Sequence, residues 1–121
     1  MDIQEIKEAF LEESEEYMNI LRSNLETLKS NLPDNDHNMI VETYRAAHSI
    51  KGTAGFLALQ NISKLAKGME YALMPIRDKE KALDLDLIEK IQEAAVLLQD
   101  LIDNIETSED FSIDAMLNKL S

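Results

Sequence analysis

The sequence offers few groups able to do nucleophilic or proton-transfer chemistry at neutral pH. Cysteine is absent, and the two histidines are His37 and His48. His48 stands in the stretch Ala46-Ala47-His48-Ser49-Ile50-Lys51-Gly52-Thr53-Ala54-Gly55. Wound as an α-helix, the stretch turns Ala47, Ile50 and Ala54 inward and leaves His48 outside the apolar stripe, on a strip shared with Val41, Gly52 and Gly55. Lys51 borders that strip on its inner side and Arg45 on its outer side. A mid-helix glycine costs about 1 kcal/mol relative to alanine. Two of them close to one imidazole require an explanation. One is access: Gly52, one turn beyond His48, removes the side chain that would obstruct another protein approaching the ring. Lys51, at i+3, reaches the same face and offers positive charge to an anion carried on the imidazole. The bland alternatives are a solvated histidine and glycines placed for close helix packing.

Glu70 lies further along, at the edge of another apolar stripe and in phase with Ser63 and Ala66. If its helix pairs antiparallel with that of His48, the carboxylate faces the imidazole. Accepting a hydrogen bond from Nδ1–H, it would fix the tautomer and leave Nε2 as the free nucleophile. Taken alone, Glu70 is equally one of many surface glutamates.

Composition narrows the classes. The chain has 121 residues, 12 basic and 24 acidic, for a net charge of −12, and 45% of its residues are hydrophobic. That length fits one domain with a real core. A strongly acidic chain can hardly assemble the basic face that phosphate backbones require, so no nucleic-acid role is expected. Anionic membrane surfaces are disfavoured for the same reason. Without cysteine there are no disulfides, zinc-thiolate sites or iron–sulfur clusters. No apolar run approaches a membrane span, and the acidic start Met1-Asp2-Ile3-Gln4-Glu5 lacks the order of a signal peptide. A cytoplasmic location is expected.

Three glycines and two prolines leave room for long helices. The first is predicted from about 3 to 32, with Phe10, Ser14, Tyr17, Leu21, Leu25, Leu28 and Leu32 inward and glutamates crowding its positive end. Pro33-Asp34-Asn35-Asp36 is a break, with Asp36 as N-cap of the next helix. That helix is predicted over 37–57, and a third over 59–77, with Pro75 expected to kink or end its last turn. A fourth is predicted over 85–106, capped by Asp84. Thr107 to Asp110 reads as a polar connection, and Ser112 as the cap of a short helix over 112–120. The expected fold is all-α: an antiparallel four-helix bundle, with the fifth helix across one end or as a mobile lead into further chain. No apolar face is left over, so a monomer is expected.

The run Tyr44-Arg45-Ala46-Ala47-His48-Ser49-Ile50-Lys51-Gly52 resembles the phosphoacceptor helix of histidine-containing phosphotransfer (HPt) domains. More narrowly, it is similar to the N-terminal phosphotransfer domain of CheA-type chemotaxis histidine kinases. Phe10-Leu11-Glu12-Glu13-Ser14-Glu15-Glu16, the Gly55-Phe56-Leu57 turn and Met69-Glu70 extend the likeness over about residues 5 to 105. The resemblance implies that His48 is phosphorylated on Nε2 by a kinase ATP-binding domain and passes the group to an aspartate of a response-regulator receiver domain. It makes Glu70 the carboxylate that orients the imidazole, Lys51 the basic residue beside the phosphate and Gly52 the small residue giving access. Lys67 and Arg45 are further candidate binding residues. Lys67 stands where many chemotaxis members have a second histidine, and Thr53 where a second glycine is common. No cofactor is implied. No phosphate-binding glycine motif is present, and no metal site is needed, because magnesium would accompany ATP on the kinase domain and the aspartate on the receiver.

Three other readings compete. A di-iron bundle needs paired Glu-x-x-His motifs, and the sequence has only Asp34-x-x-His37 in a loop, while Arg45 stands three before His48. A non-catalytic acidic adaptor would not need His48, Lys51 and Gly52 together. A stand-alone phosphorelay protein differs from the first domain of a larger kinase only in whether the chain continues past Ser121. The amphipathic stretch Phe111–Ser121 favours the larger kinase.

Overall fold

In the computed structural model, residues 2–32 and 34–121 are described. Five α-helices account for most of them: α1 Ile3–Ser30, α2 His37–Phe56, α3 Gln60–Arg77, α4 Leu85–Asp103 and α5 Asp114–Leu120. No strand occurs among the described residues. Each of the three helices with an aspartate at its N-cap uses it. Asp2 accepts from the Glu5 amide, Asp36 from Asn38 and Asp84 from Leu87, satisfying donors that the first turn leaves unpaired. Pro33, part of the expected break, lies outside the described residues.

Consecutive helices are neighbours and α4 closes back on α1, while among the described residues the backbones of the diagonal pairs stay apart. Cross-helix bonds fix the directions. On the α1–α4 seam Arg22 donates to Gln99 and Lys29 to Gln92. On the α2–α3 seam Tyr44 and His48 meet Glu70, while the Ser63 hydroxyl donates to the Lys51 carbonyl. Higher numbers on one helix meet lower numbers on the other, so the pairs are antiparallel. The core is built from one stripe of each helix: Phe10, Met18, Leu21, Leu25 and Leu28; Ala46, Ala47, Ile50 and Ala54; Ile62, Leu65, Met69 and Leu73; Ile88, Ile91, Ala95, Leu98 and Leu101. Tyr17 and Leu32, expected inward, are only half-buried, and Met18 and Asn24 are buried instead.

Three local expectations need correction. The segment 105–110 is a 3-10 helix rather than a connection. It is pinned to the start of α3 by Asn61, whose side-chain amide donates to the carbonyls of Ser108 and Phe111. Ser112 does not cap α5; Ile113 holds that position with no side-chain bond. Nor does α5 cross an end of the bundle or lead away from it. It packs against α3 and α4, burying Met116 and Leu120. Gly68 of α3 permits this, since a Cβ there would stand 3.1 Å from Leu117 and 3.2 Å from Leu120. Helix α3 holds Pro75 in its last turn and stops at Arg77. It ends where Lys79 takes a left-handed φ of 61° and the amides of Lys79 and Glu80 bond back to Ile76 and Pro75, the Schellman arrangement. The same closure ends α2, with Ala58 at φ 58° and the amides of Ala58 and Leu59 bonded to Gly55 and Ala54.

Candidate functional site

The α2–α3 pair brings His48 and Glu70 together. His48 stands mid-helix on α2 with its side chain 57% exposed, while that of Glu70 is 3% exposed on α3. His48 Nδ1 lies 2.8 Å from Glu70 Oε1. An ionised carboxylate only accepts, so Nδ1 carries a proton, and in the neutral imidazole the lone pair is on Nε2. Tyr44, one turn before His48, donates its hydroxyl to the same Oε1 at 2.9 Å. Lys51 Nζ lies 2.8 Å from Oε2, off the direction of an aligned hydrogen bond, so charge rather than geometry holds that oxygen.

Burial pushes the Glu70 carboxyl up. The contacts with Lys51, His48 and Tyr44 more than offset it and hold the group below its ordinary value. Glu70 is therefore an anion at neutral pH, buried but partnered on both oxygens, as a charge inside a core requires. Burial, and then the hydrogen bond and charge of Glu70, push the Tyr44 phenol up against the opposing pull of Arg77. Tyr44 is therefore a donor, not a phenolate.

Of the other residues expected at the site, Gly52 is exposed, and a Cβ there would meet nothing within 4 Å. Helix packing therefore does not explain it. Lys51 turns to Glu70 instead of standing free beside the ring. Arg45 is exposed on the outer side of α2. Lys67 is exposed on α3, with its ammonium 5.3 Å from the centroid of Tyr71; it meets that ring, not Glu70.

Sequence reasoning missed two members. By spacing, Tyr44 belongs to the apolar stripe, yet its position four residues before His48 also places it on the adjacent turn. Its ring runs nearly parallel to the imidazole, 15° between planes and 6.2 Å between centroids. Arg77, at the far end of α3, lays its guanidinium 4.3 Å from the Tyr44 centroid and pairs with Asp78. No local signal marks Arg77, because the contact exists only once α2 and α3 pack. Phe56, two turns beyond His48, is 74% exposed.

An imidazole with one nitrogen tied to a buried carboxylate and the other presented at an open helix surface suits reversible covalent chemistry with a partner protein. Residues 5–108 match the family model of the Hpt domain. The chain belongs to the Hpt domain family. Within it, this Hpt domain is 37% identical over 101 residues to the chemotaxis protein CheA of Rhizobium meliloti, a match covering 84% of the chain and 13% of that relative. The chain thus spans about an eighth of the relative's length. Its fold is similar to the CheA phosphotransferase domain from Thermotoga maritima, with a TM-score of 0.75, 28% identity and coverage of 87% of this chain and 97% of that one. It also matches the phosphorylated P1 domain of CheA3 from R. sphaeroides, solved in complex with CheY6. There the TM-score is 0.83 at 19% identity, over 96% of this chain and 92% of that one. Among the described residues, no helix of this Hpt domain is long and apolar enough to cross a membrane.

Proposed function

We propose that residues 1–121 form a phosphotransfer domain of a CheA-type chemotaxis kinase, with His48 as the phosphoacceptor. The observation that carries this reading is the pairing of Glu70 with Nδ1 of His48 at 2.8 Å beneath a ring that is more than half exposed. The Nε2 lone pair attacks the γ-phosphorus of ATP held by a kinase domain. An N–P bond forms, the bond to the β-phosphate oxygen breaks and ADP leaves. The ring, still protonated on Nδ1, becomes cationic, and Glu70 offsets that charge without moving. An aspartate of a receiver domain then attacks phosphorus, the N–P bond breaks, and the neutral Nδ1–H imidazole returns. Both partners must reach the same nitrogen in turn, which the open surface at Gly52 permits. Lys51, Gly52 and Glu70 serve the site as charge, access and orientation; Arg45 and Lys67 line its approaches. The domain works as a monomer in the cytoplasm, between a kinase ATP-binding domain and a response regulator.

The test is phosphate incorporation from ATP by a purified chemotaxis-type kinase core, with His48→Gln as control. Acid-labile, base-stable label that disappears in the variant, while the variant keeps its helical content, is the expected result. Equal label in the variant removes His48 from the reaction. No label on either protein, from a core competent on its own substrate, defeats the kinase pairing. A receiver-binding titration then separates a mismatched kinase from an adaptor.

A further inference from the structure

Glu70 Oε1 serves two donors at once, Nδ1 of His48 at 2.8 Å and the hydroxyl of Tyr44 at 2.9 Å. Both donors come from the same helix, four residues apart, with their rings nearly parallel. The hydroxyl is the only difference between tyrosine and a phenylalanine that would fill the same space. An apolar ring would suffice at this half-buried position, and the buried carboxylate already has His48 and Lys51. The tyrosine oxygen therefore adds something besides packing. A second hydrogen bond withdraws electron density from the oxygen that His48 also uses, weakening the carboxylate as an acceptor for Nδ1–H. A weaker acceptor stabilises the imidazolium less and lowers the basicity of Nε2.

We infer that Tyr44 is a positioning residue for His48, its hydroxyl moderating through Glu70 how basic the imidazole becomes and its ring fixing the plane in which Nε2 is presented. This rests on the reading of His48 as the phosphoacceptor. Such moderation suits a group that must take a phosphoryl group and also release it. Too basic a ring is protonated, and idle, over more of the pH range; it is also a poorer leaving group.

The charged groups around the ring leave this assignment to Tyr44. On α2, Lys51 faces Glu70 Oε2 and Arg45 points to solvent. On α3, Glu70 meets the ring directly, Arg77 covers the far face of Tyr44 while paired with Asp78, and Lys67 lies over Tyr71. On the α1 side, the polar group bonded across to α2 is Asn24, which donates to Glu42 rather than to the site.

The experiment is an NMR titration of the His48 imidazole in the whole chain, for wild type, Tyr44→Phe, Glu70→Gln and the double variant. Phenylalanine keeps the ring under Arg77, so the fold is preserved. The titration midpoint should rise by about half a unit in Tyr44→Phe, the size expected for one neutral hydrogen bond on a shared carboxylate. The rise should vanish in the Glu70→Gln background, because the effect runs through that charge. Phosphorylation of Tyr44→Phe should be about threefold slower on the acid limb of its pH profile, where the neutral fraction falls by that factor. Its alkaline plateau should not fall. An unshifted midpoint, or a shift that persists unchanged without the Glu70 charge, overturns the inference. A shifted midpoint in a chain that takes no label leaves the Tyr44 assignment standing and defeats the phosphoacceptor reading instead.

Discussion

Glu70, 2% exposed, reaches out of the α2–α3 seam to within 2.8 Å of His48, whose side chain is more than half exposed. The imidazole is thus held on its Nδ1 side by the protein interior while more than half of the side chain faces solvent. A carboxylate on the surface would be screened and mobile. Buried and partnered by Lys51 and Tyr44, it keeps one position and one charge.

Replacing Glu70 tests both halves of that arrangement. Glu70→Ala leaves the Lys51 ammonium facing a half-buried void and frees His48 to turn. Stability should fall by about 1–2 kcal/mol, because the hydrogen bonds are lost but the buried charge leaves with them and Lys51 and His48 are exposed enough to regain water. His48 should populate the Nε2–H tautomer, readable by NMR of the imidazole nitrogens, and phosphorylation should slow. An unchanged tautomer ratio would remove Glu70 from the orienting role.

The same residue sets a pH dependence. Its carboxyl titrates lower in the fold than the ordinary 4.5. Its contribution is therefore fully present above that value and is lost as pH falls through the folded value. The Tm of the wild type should drop between pH 7 and the acid side of 4.5. That drop should be smaller in Glu70→Gln, which has no such proton to take up. Parallel curves for the two proteins would show that Glu70 contributes nothing to acid sensitivity.

Two glycines of similar helical context should answer differently to alanine. Gly52→Ala meets open space and gains helix propensity, so it should stabilise by about 1 kcal/mol with little effect on transfer. Gly52→Gln should keep the stability but slow phosphotransfer by obstructing Nε2. At Gly68 the added methyl presses on Leu117 and Leu120, so alanine should gain less than at Gly52. Gly68→Leu should undock α5, seen as faster amide exchange in residues 114–120 with α1 to α4 unaffected. Equal transfer rates in wild type and Gly52→Gln would refute the access role.

Ala58 closes α2 in a left-handed conformation that its Cβ opposes. Ala58→Gly should therefore raise stability by about 1 kcal/mol, measurable as a higher midpoint in urea at unchanged slope. Since the residue lies nearly a full turn beyond Gly55, labelling of His48 should not change. A destabilised Ala58→Gly would mean that the flexibility added to the unfolded chain outweighs the relieved strain.

Much of this protein is set by local chemistry along the chain. The apolar stripes, the Asp36 and Asp84 caps and the small residues beside His48 act within one helix, where spacing alone decides which side chains share a face. An all-helical bundle with an exposed histidine is their consequence. Tertiary structure decided what the spacing left open. Whether Glu70 was a surface glutamate or a partner of His48 depended on the rotation of α3 against α2. The second bond from Tyr44, the cover of Arg77 and the inward turn of Lys51 depend on that same packing. So does α5, whose place along α3 and α4 was set by the room at Gly68 rather than by any signal in its own seven residues. Side-chain periodicity fixes the face a helix buries, but the partner across the seam is set by how two faces interdigitate, and that is a property of the assembled bundle.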